Sequence, residues 1–287
     1  MQFKKYRIMK KSLYAAILAT VLFSSCANEF NRVYKTSDNT YKYEYAKESY
    51  ANGKYVRASS LLQGLVTMQK GTDNAQESLY MLAMAEYNSK DYEGAAATFK
   101  KYFQSYPKGV YAEKAEFYIG MSLYNCTPEP RLDQSQTVNA IAAFQEYMDL
   151  YPDGEDRATA QQKLFELQDK LVEKEYLSSK LYYDLGSYSG NASYSSTGNN
   201  YLAAIVTAQN VLKEYPYTKM REELSILILR AKYHMAKESV LEKREDRMRE
   251  TVDEYYAFKN EFPESKYMKE VEDIFKEVSK YISTDEE

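Results

Sequence analysis

A chain of 287 residues with 44% hydrophobic and 28% charged side chains has a globular composition and room for one or two domains. Ten glycines and six prolines are few for a protein of many tight β-turns and ordinary for a helical one. Residues 1–25 carry five cations and no acid, so the remainder sets 33 basic against 42 acidic residues, a formal net charge of −9 with no basic stripe, which argues against nucleic acid as a partner.

The N-terminus reads as an export signal. Lys4, Lys5, Arg7, Lys10 and Lys11 precede an apolar run from Ser12 to Phe23. That run is too short for the roughly 20 apolar residues of a membrane-spanning helix, and Asn28, Glu29, Asn31 and Arg32 follow it closely. Met9 is an alternative start, because the pattern from Met9 to Cys26 is complete by itself. Ser24 and Ser25 before Cys26 resemble a bacterial lipoprotein signal, with Phe23 where leucine is usual and Leu22 one place further back. The resemblance implies a signal peptide over 1–25, acyl chains on Cys26 as the first mature residue and membrane anchor, and a tether over 26–39. The alternative is a signal cut elsewhere, with Cys26 incidental. Cys126 is the only other cysteine, so lipidation of Cys26 leaves no intramolecular disulfide. Cys126 is expected as a small, partly buried residue beside a loop.

The body repeats. Tyr43, Ala46, Tyr50, Tyr55, Ala58 and Leu62 return 37 residues later as Tyr80, Ala83, Tyr87, Tyr92, Ala95 and Phe99. The first three return again as Phe117, Gly120 and Tyr124. The second half of this third repeat follows an eight-residue insertion as Ala140, Phe144 and Tyr147. Tyr106-Pro107, Tyr151-Pro152, Tyr215-Pro216 and Phe262-Pro263 close the repeats. Aromatic, small, aromatic at spacings of three and four lie on one helical face. A turn over Asn88–Asp91 then leads to a second helix with Ala95, Phe99 and Tyr102. The small residues let helices approach closely, and proline ends each hairpin.

These residues resemble the tetratricopeptide repeat, which the second repeat matches at Leu79, Leu82, Ala83, Ala95, Phe99, Tyr102 and Pro107. A looser fourth repeat opens at Tyr176, Ser179 and Tyr183 and closes at Ala204, Val211 and Pro216, with a low-complexity loop over 186–200 between. A fifth runs from about Met220 to Pro263 around Ala231, Tyr255 and Phe258, with Thr251 where a small residue is expected. Its segment 237–250 reads as a solvated helix extension, and 266–282 as a capping helix. The expected architecture is an all-α superhelix of about five tetratricopeptide-like hairpins with a C-terminal cap, repeats one to three over 40–165 and the rest over 166–287.

No constellation carries catalysis. The single histidine, His234, leaves no Cys/His metal set, and no nucleophile has a nearby base, so neither enzyme activity nor a cofactor or metal is expected. By resemblance to other such repeats, fixed positions of each first helix face a concave groove. Here they are Tyr43, Lys47 and Tyr50, then Tyr80, Met84 and Tyr87, then Phe117, Met121 and Tyr124. About half of these aromatics are expected to pack between repeats instead. Tyrosine and methionine offer large apolar area and adaptable contacts to an extended or helical peptide, and Lys47 and Lys114 could meet its carboxylate.

The anchor, the five repeats and the separators at Tyr106–Ala115, Tyr215–Thr218 and Phe262–Tyr267 resemble the BamD family, the lipoprotein subunit of the outer-membrane β-barrel assembly machinery. The resemblance implies a non-catalytic scaffold on the periplasmic face of the outer membrane. It would bind the barrel subunit BamA, alongside other subunits, through its C-terminal repeats and unfolded barrel precursors through its N-terminal ones. Arg221, just after a Tyr-Pro separator, takes the place of a family arginine that contacts BamA; the alternative is a surface arginine paired with Glu222 or Glu223. Two other readings remain: another periplasmic tetratricopeptide adaptor, or a SusD-like glycan-binding lipoprotein. The absence of tryptophan and the short chain count against the second.

Overall fold

The computed structural model describes residues 29–186 and 200–282. The signal segment 1–25, Cys26, and residues 187–199 of the expected low-complexity loop lie outside the described residues. Among the described residues the fold is all-helical, with no strand, and these residues form two compact units, one up to residue 126 together with 149–154, the other 127–148 together with those from 155 onward.

The first unit begins with α1, described over 29–35, followed by α2 (Asn39–Ala51), α3 (Tyr55–Met68), α4 (Ala75–Asn88), α5 (Tyr92–Ser105) and α6 (Ala112–Asn125). Each helix packs on the next from α2 onward. Ala46, Ala58, Ala83 and Ala95 are fully buried, because helix backbones approach most closely where the side chain is small. Asp38 caps α2 by accepting from Tyr41 N–H at 3.0 Å, and Asp91 caps α5 by accepting from Gly94 N–H at 3.1 Å. The turn expected at Asn88–Asp91 is present, with Lys90 at a positive φ of 68°.

The second unit contains most of α7 (Ser135–Leu150), then α8 (Arg157–Leu185), α9 (Asn200–Glu214), α10 (Arg221–Lys237), α11 (Leu241–Glu261) and α12 (Met268–Val278), with a short 3-10 turn, Ser279–Tyr281, at its end. Val271, Ile274 and Val278 of α12 are buried beside Tyr255 and Phe258 of α11, while the other face of α12 is charged. Thr251 fits a small-residue position because its hydroxyl donates to Arg247 C=O in its own helix at 2.8 Å.

The segment 237–250 differs from the expected helix extension. The chain breaks helix after Lys237 and restarts at Leu241. Ser239 organises the break: its hydroxyl donates to Met235 C=O at 2.6 Å, its carbonyl accepts from Arg244 at 3.0 Å, and Arg247 donates to its hydroxyl. Charge density hid this turn, since Arg244 and Arg247, which make the segment look solvated, bond the carbonyl and the hydroxyl of Ser239.

The separators share one polar problem, the unbonded amide at the start of the next helix. The Tyr111 N–H, at the N-cap of α6, donates to the Tyr102 hydroxyl at 3.2 Å, and the Asp156 N–H, at the N-cap of α8, donates to the Tyr147 hydroxyl at 3.1 Å. The same place is held by Val211 and Phe258 in the later repeats, which have no hydroxyl. There Thr218 accepts from Met220 N–H at 3.2 Å and Ser265 from Tyr267 N–H at 3.0 Å. In the tyrosine-capped separators that position is Gly109 or Gly154. A Cβ at Gly109 would stand 2.6 Å from both the Tyr102 hydroxyl oxygen and Gln76 Oε1, of which the second is the end of a flexible side chain that can turn away. Tyr102→Phe should therefore cost about 1–2 kcal/mol, the penalty of a buried donor losing its acceptor. Gly109→Ser alone should destabilise by steric conflict. Together the two changes recreate the Phe258–Ser265 arrangement, so the double variant should lose less than the sum. A double-mutant cycle by urea denaturation measures this; simple additivity would refute the account.

Candidate functional site

The predicted groove residues all lie in the first unit. Two of them are interior. Tyr43 is 3% exposed and Phe117 6%. Burial, with Glu77 and Glu44 nearby, pushes the Tyr43 phenol up to about 12. Lys47 lies 5.3 Å from the Tyr43 ring centroid and 3.5 Å from Glu77 of the next hairpin. That pair is about 40% exposed on both sides, so it adds at most about 1 kcal/mol.

The surface at these positions is made by half-buried side chains: Tyr50 of α2, Tyr80, Met84 and Tyr87 of α4, and Lys114, Met121 and Tyr124 of α6. Tyr80 stacks on Tyr111 with centroids 4.3 Å apart and presents an edge to Phe99 and Tyr102, both at 5.8 Å. Burial raises its phenol well above the usual range, and the Lys114 charge opposes the rise. Tyr87 meets Tyr92 at 5.5 Å and Tyr118 at 5.0 Å, and its hydroxyl accepts from Asn125 Nδ2 at 3.3 Å. Tyr50 packs edge-on against Tyr55 at 5.4 Å. Burial, then the neighbouring Tyr55 and Tyr118 hydroxyls, raises its phenol as well. The Tyr50 and Tyr80 hydroxyls therefore stay protonated at physiological pH and serve as neutral donors and acceptors on an apolar surface.

Sequence periodicity missed two members of this cluster. Tyr118 stacks on Phe99 at 5.4 Å and bridges Tyr87 and Phe117. Its counterparts in the first two repeats are Glu44 and Met81, so no repeated aromatic marks it. Tyr111 lies in a separator and reaches Tyr80 only in the folded chain. Tyr118 and Tyr111 fix the rings of Tyr80 and Tyr87, so what is offered outward is a pre-ordered aromatic and thioether surface rather than loose side chains.

Glu86 on α4 is 7% exposed, and one of its carboxylate oxygens has no hydrogen-bond partner. Burial raises its carboxyl above the ordinary value, a bond from Thr98 partly offsets this, and Asp91 adds to it. The folded state thus holds the proton more tightly than the unfolded chain. Glu86 costs stability at neutral pH, and the cost is relieved as pH falls through its folded pKa toward the unfolded value near 4.5. Glu86→Gln should raise the melting temperature at pH 7, with the advantage over wild type shrinking by pH 4. Equal melting curves at both pH values would refute this.

In the second unit Arg221 does not pair with Glu222 or Glu223. Its guanidinium forks onto Glu261 of α11 and donates to Pro216 C=O at 3.3 Å. Glu222 instead accepts from Ser265, and Glu223 lies 3.5 Å from Lys266. Phe165 and Tyr217, which line one cleft with Pro216, are 46% and 91% exposed. Cys126 is a half-buried free thiol whose pKa burial pushes up, helped by Glu93 and Asp91. Among the described residues no helix is long and apolar enough to cross a membrane, and no group of three or more His, Cys, Asp or Glu side chains could hold a metal ion.

Comparison with known proteins adds the family. Residues 35–246 match the family model YfiO, described as outer membrane lipoprotein. The search of curated proteins returned no match. Among solved structures, the TPR2AB domain of yeast Sti1, solved as a complex with pHSP90, aligns over 85% of this chain and 99% of that chain, with 14% identity and a TM-score of 0.36. With well over half its length matched and its helices arranged as repeated hairpins, the chain belongs to the YfiO family of outer membrane lipoproteins, which is the BamD family, and is a helical-repeat scaffold of that kind.

Proposed function

We propose that this lipoprotein is a non-catalytic subunit of the outer-membrane β-barrel assembly machinery. An acylated Cys26 holds it on the periplasmic face of the outer membrane. Its first unit receives unfolded barrel precursors, and its second binds BamA. The observation that carries the reading is the half-buried Tyr50, Tyr80, Met84, Tyr87, Met121 and Tyr124 set, ordered from beneath by Tyr111 and Tyr118. A barrel strand alternates apolar and polar side chains. Its apolar side chains can seat on the rings and thioethers, and Lys114 carries the positive charge that a C-terminal carboxylate requires. No proton transfer or bond making is involved. Affinity should be modest, because a held intermediate must leave.

The test is photo-crosslinking in intact cells from Met84 and Met121, both substituted with a photoreactive residue. Adducts with barrel precursors are expected there and not from Tyr217; adducts with precursors only from Tyr217 would overturn the reading. For BamA, Arg221→Ala should reduce co-purification while Glu261→Gln, which leaves the guanidinium in place, should preserve it. If both variants behave alike, Arg221 acts only as an internal clamp.

A further inference from the structure

We propose that the open edge of the first repeat is a lipid-binding surface that lays this unit against the bilayer. The inference rests on the reading of Cys26 as the acylated anchor.

The edge is a cleft of about 440 Å³ between α1, the start of α2, and α3, lined by Tyr34, Lys42, Leu61, Gly64, Leu65 and Met68 among others. Tyr34 is 54% exposed and Met68 66%. A repeat protein normally covers its terminal repeat with a polar capping face. Here α1 covers it only in part: Val33 is buried against Leu61, Leu62 and Leu65, while Tyr34 and Met68 stay open to solvent.

Two observations select a lipid surface as the occupant. The first is reach. Glu29 is three residues from Cys26, so the leash spans at most about 11 Å when fully extended, and the helical rise to Tyr34 adds about 8 Å. An acylated Cys26 sits at the bilayer interface, so the leash and the rise of α1 keep Tyr34, part of the cleft lining, within about 20 Å of it. The second is chemistry. In a chain whose mature body is strongly acidic, the cleft lining includes Lys42 and no acid. The adjacent α1 exposes two cations, Arg32 and Lys35, against one acid, Glu29. Tyrosine is a preferred residue of membrane–water interfaces, where its ring lies among the headgroups and its hydroxyl stays wet. Basic residues beside a lipid anchor add attraction to anionic headgroups. The tether and the cleft therefore act as two linked contacts with the same surface, and the linkage raises the effective concentration of the second.

The test uses the full-length acylated protein carrying Cys126→Ser, purified and reconstituted into vesicles of phosphatidylethanolamine and phosphatidylglycerol. A fluorophore is placed at Met68→Cys or, as a control, at Glu93→Cys on exposed α5 surface. Quenching by headgroup-spin-labelled lipid should be at least threefold stronger at position 68 than at 93. Charge reversal at Arg32, Lys35 and Lys42 together, or replacement of phosphatidylglycerol by a neutral lipid, should lower it toward the control. Equal quenching at 68 and 93 in protein whose intact mass carries the acyl chains overturns the proposal and leaves the anchor standing. A mass without acyl chains overturns both. A position 68 that escapes lipid quenching and is instead protected by an unfolded barrel precursor gives the cleft to a protein ligand and overturns the lipid assignment.

Discussion

Phe99→Ala is expected to destabilise the first unit by about 3–5 kcal/mol, the range for removing a fully buried aromatic side chain. Phe99 is 0% exposed and lies among Leu79, Ala83, Ala95, Tyr102 and Ala115, so it joins α4, α5 and α6 at one point. Its ring also supports Tyr80 edge-on and Tyr118 face-on. Rigid helix backbones cannot close the void, and the alanines around it have no rotamers with which to fill it. Phe99→Leu keeps most of the volume and should cost much less. Urea denaturation followed by circular dichroism measures both. A loss below about 1.5 kcal/mol for the alanine variant would show that the hairpins repack freely. Because Phe99 underlies the ordered rings, the same variant should weaken precursor binding even where the unit stays folded.

The second large effect is on binding. Tyr50→Ala, Tyr87→Ala and Tyr124→Ala combined should weaken the affinity for a barrel-precursor C-terminal peptide by at least about thirtyfold. That corresponds to roughly 2 kcal/mol, less than the loss expected from three truncated anchors acting independently. Tyr50 and Tyr87 also pack on Tyr55 and Tyr92, so some loss of stability accompanies the change. The phenylalanine versions separate the two contributions, since they keep the ring and its packing and remove only the hydroxyl. They should retain most of the affinity, and fluorescence anisotropy reads the difference. If the folded triple alanine variant binds the peptide as wild type does, this surface is only inter-repeat packing.

The repeats were legible because each hairpin must solve the same packing problem. A small residue is needed where helices cross and an aromatic where three helices meet, and both return at a constant spacing. Ala46, Ala83, Ala95, Phe99 and Phe144 stand where that rule puts them, all fully buried. The half-buried aromatic surface of α2, α4 and α6 was legible in part for the same reason. A repeated position identifies a helical face, but not how deeply that face is covered by the next hairpin. Tyr43 and Phe117 occupy repeated positions and are interior, whereas Tyr118 breaks the repeat and yet joins its rings together. Arg221 is recognisable in the sequence just after a Tyr-Pro separator, but its partner Glu261 lies 40 residues away, beyond the reach of local pattern.

The separators show the division most clearly. Tyr-Pro and Phe-Pro, with glycine or a hydroxyl residue two places further on, are plain in the sequence and determine where each hairpin stops, because proline cannot continue the helix. Which group accepts the next helix's first amide was decided only by the fold. Tyr102 and Tyr147 reach across nine residues to do it; Thr218 and Ser265 do it from two residues away where the buried residue is Val211 or Phe258. The physical reason is range. Hydrophobic periodicity is a property of one helix and can be read along the chain. A hydrogen bond depends on a distance of about 3 Å between groups that come together only when the helices have packed.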